Sequence, residues 1–222
     1  EGLPQSQRLT AWRLVDRELH GAILLELSAP VRASLVTLLD EPQLAALGQQ
    51  MESEDFAGLI QQLPQDMVSR ILSRLDSRER IEVRSILAFP AGSVGSLMQL
   101  DVVSLYADST LEQGIATLRH HQSLPEQLTA VSVVDRNNVL LGVLTLDRLI
   151  VGAGDTTIGA VMNTAPVFFF TDDRVDDAAT AFERYDLISA PVVNLHRQVV
   201  GWLAVDAVLD YVKQDSFKQS LS

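Results

Sequence analysis

An internal duplication in the second half of the chain is the feature that most constrains its fold. Residues 131–135 are matched in pattern by residues 190–194, and residues 142–147 are matched by residues 201–206. Both pairs are offset by the same 59 residues. Two matched segments with one common offset indicate a tandem repeat. This half of the chain is therefore expected to fold as two similar modules.

Each repeat combines strand-like and helix-like patterns. Short β-branched runs, typical of strands, lie at 102–106, 130–134, 139–145, 167–171, 190–195 and 199–205. Helical periodicity lies between and after them at 109–121, 173–186 and 206–214. Ser109 with Glu112, and Thr110 with Gln113, give two overlapping capping-box patterns for the start of the first of these helices. The order of patterns predicts a β-α-β-β-α unit in each repeat.

The first half of the chain carries only helical periodicity, from residue 9 to about residue 88. Residues that favour helix starts recur at intervals of about a dozen positions: Ser28, Asp40, Ser53, Pro64 and Asp76. Asp76 is also followed three residues later by a glutamate, which is the capping-box spacing. Helices this short are marginal alone. We therefore expect a compact all-α superhelical array.

Composition narrows the possible functions. The chain has 17 Lys and Arg against 29 Asp and Glu, a formal net charge of -12, and no cysteine. Such a charge repels nucleic acid and attracts cations, so no nucleic-acid partner is expected. No apolar run approaches the roughly 18–20 residues that span a bilayer. No catalytic motif is present either, so the chain is not expected to be an enzyme. Because it begins at Glu1 without a methionine, we expect it to be a piece of a longer protein.

Two resemblances follow from these patterns. A β-α-β-β-α unit that opens near a methionine (Met98, Met162) and closes on Gly-x-x-(Ser/Thr)-x-x-Asp resembles the CBS module, and two in tandem resemble a CBS pair over about residues 92–214. The short helices that lead through Phe89-Pro90 into Gly95-Ser96-Leu97-Met98 resemble the N-terminal domain of the MgtE family of magnesium channels and transporters.

The MgtE resemblance implies a fold and a domain plan. The fold class is α+β multidomain, with an all-α superhelical N-terminal domain followed by the CBS pair. Residues 1–90 would form the helical domain, 91–154 the first CBS module and 155–208 the second. Residues 209–222 would begin a connecting helix toward a membrane domain.

The resemblance also implies a function. The chain would be the Mg²⁺-sensing region of a magnesium channel or transporter, a soluble fragment located at the cytosolic face of the inner (plasma) membrane. Mg²⁺ bound between carboxylates of the domains would close them and gate the pore. The implied partners are a second copy, through the CBS pair, and the pore domain of the same polypeptide.

Five carboxylates correspond to, or lie beside, the family's metal positions: Glu54, Asp55, Asp186, Asp206 and Asp210. No catalytic or cofactor-binding residue is implied. Several expected acids are absent, because Gly58, Ala207 and the stretch 91–93 replace them.

Structural roles could also explain these carboxylates. Asp206 can cap the helix that it precedes, and Glu54 with Asp55 can favour the dipole of a first helical turn. Asp186 lies near a helix C-terminus, where an acid opposes the dipole, so the sequence offers no local reason for it. Asp186 and Asp210 are therefore the preferred metal candidates.

Two other functions stay open. One is a nucleotide-responsive CBS module, and the other is a purely structural CBS dimerisation module, with the stretch 149–151 as one possible edge. ATP binding is doubtful because the closing motifs depart from the CBS pattern. In the first module Asp147 falls one place early and Arg148 takes its position, and in the second module Ala204 and Ala207 replace the Thr and Asp.

Overall fold

The computed structural model describes residues 4–121, 124 and 128–219. Contacts divide the chain into two compact units. The helical unit comprises Glu1–Gly92 with Asp210–Ser222, and the repeat unit comprises Ser93–Leu209. Among the described residues, no helix has the length and apolarity that a membrane crossing requires.

The helical unit is a succession of short helices. They are α1 (Gln5–Leu14), α2 (His20–Glu26), α3 (Ala29–Val36), α4 (Glu41–Gly48), α5 (Ser53–Ile60), α6 (Gln65–Arg74) and α7 (Ser77–Leu87), with a 3₁₀ turn at Arg17–Leu19. Four of the five predicted helix starts are the residues directly before a helix: Ser28, Asp40, Pro64 and Asp76. The fifth differs by one residue, because Glu52 precedes α5 and Ser53 is its first residue.

Packing explains why such short helices are stable together. Helix α3 packs on α5, α5 packs on α7, and α4 packs on both α5 and α6. The side chains between them are fully buried and apolar, including Leu44, Phe56, Ile60, Ile71 and Ile86. Burial of each large side chain contributes about 1.5–3 kcal/mol, so tertiary packing supplies the stability that each helix lacks alone.

The repeat unit contains two copies of one arrangement. The first copy has β1 (Ser104–Tyr106), α8 (Leu111–His120), β2 (Ala130–Val134), β3 (Leu140–Thr145) and α9 (Leu146–Val151). The second has α10 (Ile158–Val161), β4 (Phe169–Phe170), α11 (Val175–Tyr185), β5 (Ser189–Val193), β6 (Val199–Ala204) and the beginning of α12 (Val205–Gln219), whose residues from Asp210 onward belong to the helical unit. Each sheet has three strands, in the orders β1-β2-β3 and β4-β5-β6. In each, the first strand runs parallel to the second and the third runs antiparallel.

The differences from the predicted elements in this unit are small and local. Of the two capping boxes for α8, the structure forms the one between Thr110 and Gln113. Strand β4 keeps two of the five predicted residues. Helix α9 is the closing helix of the first predicted β-α-β-β-α unit, although it is too short to show a helical period in the sequence. Helix α10 is shorter still and was not predicted.

The two modules exchange their leading segments. Gln99 pairs with Trp202 on β6 of the second module, with two backbone hydrogen bonds of 2.8 and 2.9 Å. Asn163 pairs in the same way with Val143 on β3 of the first module, at 3.0 and 2.8 Å. Each methionine that opens a repeat therefore lies beside the sheet of the other repeat.

The glycines of the closing motifs permit this exchange. A Cβ at Gly142 would lie 2.4 Å from the carbonyl oxygen of Asn163, and a Cβ at Gly201 would lie 2.5 Å from Sδ of Met98. Real Cβ atoms do not approach other atoms so closely. The glycine of each closing motif therefore contacts a methionine that opens a repeat: Gly142 lies against Met162, and Gly201 lies against Met98. The same contact thus occurs twice in the repeat unit.

The β2–β3 and β5–β6 hairpins also pair with each other. The amide of Leu140 donates to the carbonyl of Arg197 (2.9 Å), and the amide of Val199 donates to the carbonyl of Asn138 (3.0 Å). Asn138 and Arg197 both have left-handed backbone conformations, with φ of 63° and 59°. A shared core lies beneath these turns, formed by Val134, Leu140, Val193 and Val199. The two modules are therefore parts of one folded unit.

Candidate metal-binding carboxylates

The five candidate carboxylates are divided between the two units. Glu54 and Asp55 lie in the first turn of α5, and Asp210 also belongs to the helical unit. Asp186 and Asp206 lie in the repeat unit. A hydrogen bond from the amide of Val205 to the carbonyl of Ile188 (2.8 Å) links the segment between α11 and β5, which contains Asp186, to the start of α12, which contains Asp206.

Glu54 is the candidate with the most unusual environment. It is partly buried where α5 packs on α7. Burial raises the pKa of Glu54 to about 7, and the carboxylates of Asp55, Glu52 and Glu82 add to the increase, while a backbone hydrogen bond partly opposes it. The charged form of this side chain is therefore destabilised, and a nearby cation would relieve that cost.

The surroundings of Glu54 are fixed by polar contacts between α5 and α7. The hydroxyl of Ser53 donates to Oε2 of Glu82 at 2.9 Å. The other oxygen of Glu82 accepts from Nε of Arg78 at 2.9 Å. Gly58 lies one helical turn after Glu54, and a Cβ built there meets no atom within 4 Å. The position at which the family resemblance led us to expect another acid is thus open space here.

Asp55 is exposed and lies close to the charge of Arg32. Arg32 is on α3, which packs against α5. The carboxylates of Asp55 and Asp210 both act on this guanidinium. Two metal candidates of the helical unit therefore already have a cation of the chain near them.

The structure gives Asp186 a local reason that the sequence did not reveal. Asp186 ends α11 in a left-handed conformation, with φ of 54° and ψ of 43°, and its amide donates to the carbonyl of Phe182. Aspartate and asparagine adopt this conformation more readily than other residues with a side chain. The expectation that an acid lacks a structural role here was therefore wrong, although a metal role for Asp186 stays a prediction.

Asp206 and Asp210 lie one turn apart on α12, and both are exposed. Oδ1 of Asp206 accepts a hydrogen bond from the amide of Ala207 at 2.9 Å. Asp206 is the second residue of α12, not the residue before it, so it does not cap this helix as predicted, although a carboxylate in the first turn favours the helix dipole. Asp210 lies 3.4 Å from Nζ of Lys213, an exposed pair of small energetic weight.

The donor set suits a hydrated hard cation better than a closed metal site. Over the described ranges, no three His, Asp or Glu side chains are grouped to hold a metal ion. Mg²⁺ usually keeps several of its six waters and needs only one or two protein carboxylates. Glu54, whose charged form is unfavourable, fits this mode of binding, and its neighbours supply further oxygen atoms. The chemistry fits Mg²⁺ held weakly and through water.

The closing motif of the first module has its own side-chain contact. A hydrogen bond from the Thr145 hydroxyl lowers the pKa of Asp147, which is exposed. Arg148, in the position after it, donates from Nη1 to the carbonyl of Val161 at 3.1 Å. Thr145 and Arg148 are thus engaged in contacts within the chain.

Arg32 is the residue of this region that sequence reasoning missed. The sequence did contain a signal that Arg32 lies on the packed face of its helix. Arg32 precedes Leu35 and Val36 by three and four residues, which is the spacing of one helix face, and both of these residues are buried. A charged residue on the apolar face of a short helix indicates a buried polar contact.

The fold and the helix-to-strand order define a class of protein, one with a helical domain joined to a CBS pair. Residues 94–152 and 158–214 match the CBS domain model, and residues 1–92 match the model of the MgtE intracellular N domain. The chain belongs to the MgtE family.

Relatives support this assignment. The magnesium transporter MgtE of Thermus thermophilus is 31% identical over 147 residues, covering 66% of this chain and 33% of the relative. The magnesium transporter MgtE of Enterococcus faecalis is 28% identical over 140 residues, covering 63% of this chain and 31% of the relative. The chain therefore spans about a third of the length of these relatives. They are transporters, in agreement with the prediction that the chain is not an enzyme.

Solved structures agree with the fold class. The cytosolic domain of the Mg²⁺ channel MgtE in complex with ATP has a TM-score of 0.77 and 27% identity, covering 94% of this chain and 86% of that one. The soluble part of a magnesium transporter has a TM-score of 0.75 and 22% identity, covering 96% and 84%. The predicted α+β class, a helical domain followed by a CBS pair, is confirmed. The chain corresponds to the part that is cytosolic in that channel.

Proposed function

We propose that this chain is the Mg²⁺-sensing regulatory region of a magnesium channel or transporter. Mg²⁺ bound by carboxylates of the helical unit and of the CBS pair draws these domains together and gates a pore formed by another part of the same polypeptide. The observation that carries the proposal is the joining of an MgtE intracellular N domain to a CBS pair in one chain.

The environment of Glu54 supports the proposal chemically. Its pKa of about 7 means that at neutral pH the carboxyl is about half protonated. A hydrated Mg²⁺ favours the ionised form by bringing positive charge to a partly buried site. Without the ion, the carboxylates of Asp55, Glu52 and Glu82 disfavour the ionised form of Glu54. Mg²⁺ then acts as a ligand that favours whichever domain arrangement binds it more tightly.

A titration with Mg²⁺ tests this proposal. The chain is titrated from zero to tens of millimolar MgCl₂, with small-angle scattering and limited proteolysis as measurements. NaCl of equal ionic strength separates ion binding from screening. We expect compaction and protection from protease with MgCl₂ only. Equal effects of the two salts would contradict the sensing function.

Single and double variants test which carboxylates carry the response to Mg²⁺. Glu54→Gln removes the charge of the partly buried candidate, and we expect it to shift the Mg²⁺ midpoint upward. Glu26→Gln is the matched control, because Glu26 is an exposed glutamate at the end of α2 in the same unit. A normal midpoint in Glu54→Gln would exclude Glu54 from the site. The double variant Asp186→Ala/Asp210→Ala tests the remaining preferred candidates in the same way.

The proposed assembly is a homodimer through the CBS pair. Ile150 and Val151, at the end of α9, are 69% and 84% exposed. Leu209, which lies 59 residues after Ile150, is 51% exposed on α12. Exposed apolar side chains at equivalent positions of both modules suit a surface covered by a second copy. Sedimentation of the chain and of Val151→Glu tests this, with a dimer expected only for the unmodified chain.

A nucleotide-responsive module is the second candidate. The relative of known structure with 27% identity was solved in complex with ATP. The contacts of Thr145 with Asp147, and of Arg148 with Val161, disfavour a nucleotide in the first module here. Calorimetric titration with ATP, with and without Mg²⁺, distinguishes the two functions.

A further inference from the structure

The chain crosses between its two units at two points. One crossing is the peptide bond between Gly92 and Ser93, and the other lies between Leu209 and Asp210, inside α12. Helix α12 is therefore one helix whose first residues belong to the repeat unit and whose later residues belong to the helical unit. Short helical segments are marginal on their own in water, so contacts within the helical unit must hold the later part of α12 in place.

Gly92 and Tyr211 supply such a contact within the helical unit. A Cβ built on Gly92 would lie 2.8 Å from the hydroxyl oxygen of Tyr211 and 3.7 Å from Cζ of its ring. The hydroxyl thus occupies the space that a side chain at residue 92 would need. Gly92 also has a φ of 79°, a conformation that residues with a Cβ rarely adopt. Glycine is therefore required at this position for two separate reasons.

The residues directly after the first crossing are fixed on the repeat unit. The amide of Val94 donates to the carbonyl of Asp173, and the amide of Gly95 donates to the carbonyl of Thr171, both at 2.8 Å. Ser93 is buried. The segment therefore has a firm attachment to the loop that leads into α11.

The residues before the first crossing are fixed on the helical unit. The amide of Phe89 donates to the carbonyl of Ile86 at 3.0 Å, and the carbonyl of Phe89 accepts from Nε2 of Gln61 at 3.5 Å. Residues 90–92, which we call the linker, lie between these two sets of contacts. The contact of Gly92 with Tyr211 therefore joins the linker to α12.

We propose that Tyr211 is a latch, which holds the linker and the later part of α12 together without a metal ion. By lying over Gly92, its side chain keeps the two chain crossings beside each other. The consequence of the latch rests on the proposed function. A movement of the helical unit that Mg²⁺ controls would carry α12 with it, and α12 is the helix expected to lead toward a membrane domain.

Hydrogen exchange in EDTA tests the latch through Gly92→Ala, whose Cβ would displace the Tyr211 hydroxyl. We expect the amides of residues 211–213 to exchange about tenfold faster in this variant, because this part of α12 opens locally more often. In the unmodified chain these amides stay protected in EDTA. Gly58→Ala is the matched control, because it makes the same change in the helical unit at a position where a Cβ meets no atom within 4 Å. It should leave the exchange of residues 211–213 unaltered.

A double variant separates displacement of Tyr211 from backbone strain at residue 92. In Gly92→Ala/Tyr211→Phe the hydroxyl is absent, and the distance of 3.7 Å to Cζ is an ordinary contact. We expect exchange in the double variant to return to the rate of Tyr211→Phe alone. Strain alone would leave exchange as fast in the double variant as in Gly92→Ala.

Three results would overturn the proposal. The first is unchanged exchange of residues 211–213 in Gly92→Ala, and the second is a double variant that exchanges as fast as Gly92→Ala. The third is protection of these amides in the unmodified chain only when Mg²⁺ is present. Faster exchange in α5 and α7 of Gly92→Ala would also contradict a latch, because it would show that the whole helical unit unfolds.

The same data distinguish this inference from the proposed function. If Mg²⁺ alters nothing in the unmodified chain by scattering or proteolysis, the sensing function fails. The comparison of Gly92→Ala with Gly58→Ala still decides the role of Tyr211, since it is made in EDTA and contains no free metal.

Discussion

At the scale of single residues, Glu54 differs most from a surface carboxylate. Its pKa is raised from 4.5 to about 7 in the folded chain. Between these two pH values the unfolded chain releases a proton that the folded chain retains. The folded state therefore becomes less stable as pH rises through this window, and the loss is complete above about pH 7.

Glu54→Gln should remove this pH dependence. We expect the variant to be more stable than the unmodified chain by about 1–2 kcal/mol at pH 8, after discounting for partial exposure, and equally stable near pH 4. Urea denaturation at both pH values in EDTA measures the difference. The control Glu26→Gln should follow the unmodified chain. A Glu54→Gln variant with unchanged stability at pH 8 would show that the carboxyl is well solvated.

Gly58 offers a second test at this scale. A carboxylate at this position would lie one turn from Glu54 on the same face of α5. We expect Gly58→Asp to tighten Mg²⁺ binding by about three- to tenfold through added charge. Gly58→Ala is the control for the backbone change and should leave the affinity unaltered. Isothermal titration calorimetry decides between them, and equal affinities would place the site elsewhere.

At the scale of elements, the exchange of leading segments depends on two glycines. The Cβ of Gly142→Ala would lie 2.4 Å from the backbone oxygen of Asn163, whereas that of Gly201→Ala would lie 2.5 Å from Sδ of Met98 and 3.0 Å from the backbone oxygen of Gln99. We expect losses of about 2–3 kcal/mol for Gly142→Ala and about 1–2 kcal/mol for Gly201→Ala. Gly58→Ala, with open space around it, should instead stabilise by about 0.5–1 kcal/mol. Urea denaturation measures all three, and a neutral Gly142→Ala would contradict the close contact.

The helices and strands also show how much of the fold could be predicted from the sequence. Helix starts at Asp40 and Asp76 could be predicted because a cap is a local interaction, and both capping boxes are formed. The strands could be predicted because short β-branched runs alternate with helical stretches, and the same order of patterns occurs in both repeats. The pairing of Gln99 with Trp202 could not be predicted, because it joins residues about a hundred positions apart and has no local signature.

The candidate site was less predictable than the fold. A carboxylate is common on any surface, and its role depends on neighbours that come from other helices. Glu54 was named, but its burial against α7 could not be derived from spacing. Arg32 was overlooked, since only packing brings it near Asp55. The division of the chain at 90, 154 and 208 stays a prediction.

At the scale of the whole molecule, the repeat unit should unfold as one body. Its modules share a core and exchange segments, so neither is complete alone. Leu144 is fully buried in the core of the first module. We expect Leu144→Ala, which costs about 2–5 kcal/mol, to reduce protection of β2 and of β5 equally.

Native-state hydrogen exchange measures this prediction. The amide of Val192 on β5 should lose as much protection as that of Val133 on β2. Leu195→Ala, at a side chain 78% exposed, is the control and should change neither. Faster exchange in β2 alone would show that the modules unfold separately.

The exchanged segments also bear on how such a duplicated unit can arise. A single repeat lacks the piece that borders its own third strand, and it can obtain that piece only from a second copy. Two unlinked copies would have to meet in solution, as in a domain-swapped dimer. Fusion into one chain gives the two copies an effective concentration on the order of millimolar, so the assembled form no longer depends on expression level. Once fused, the two halves need not keep identical closing motifs, and here Arg148 of the first half stands where the second half has Ala207, while each half still completes the sheet of the other.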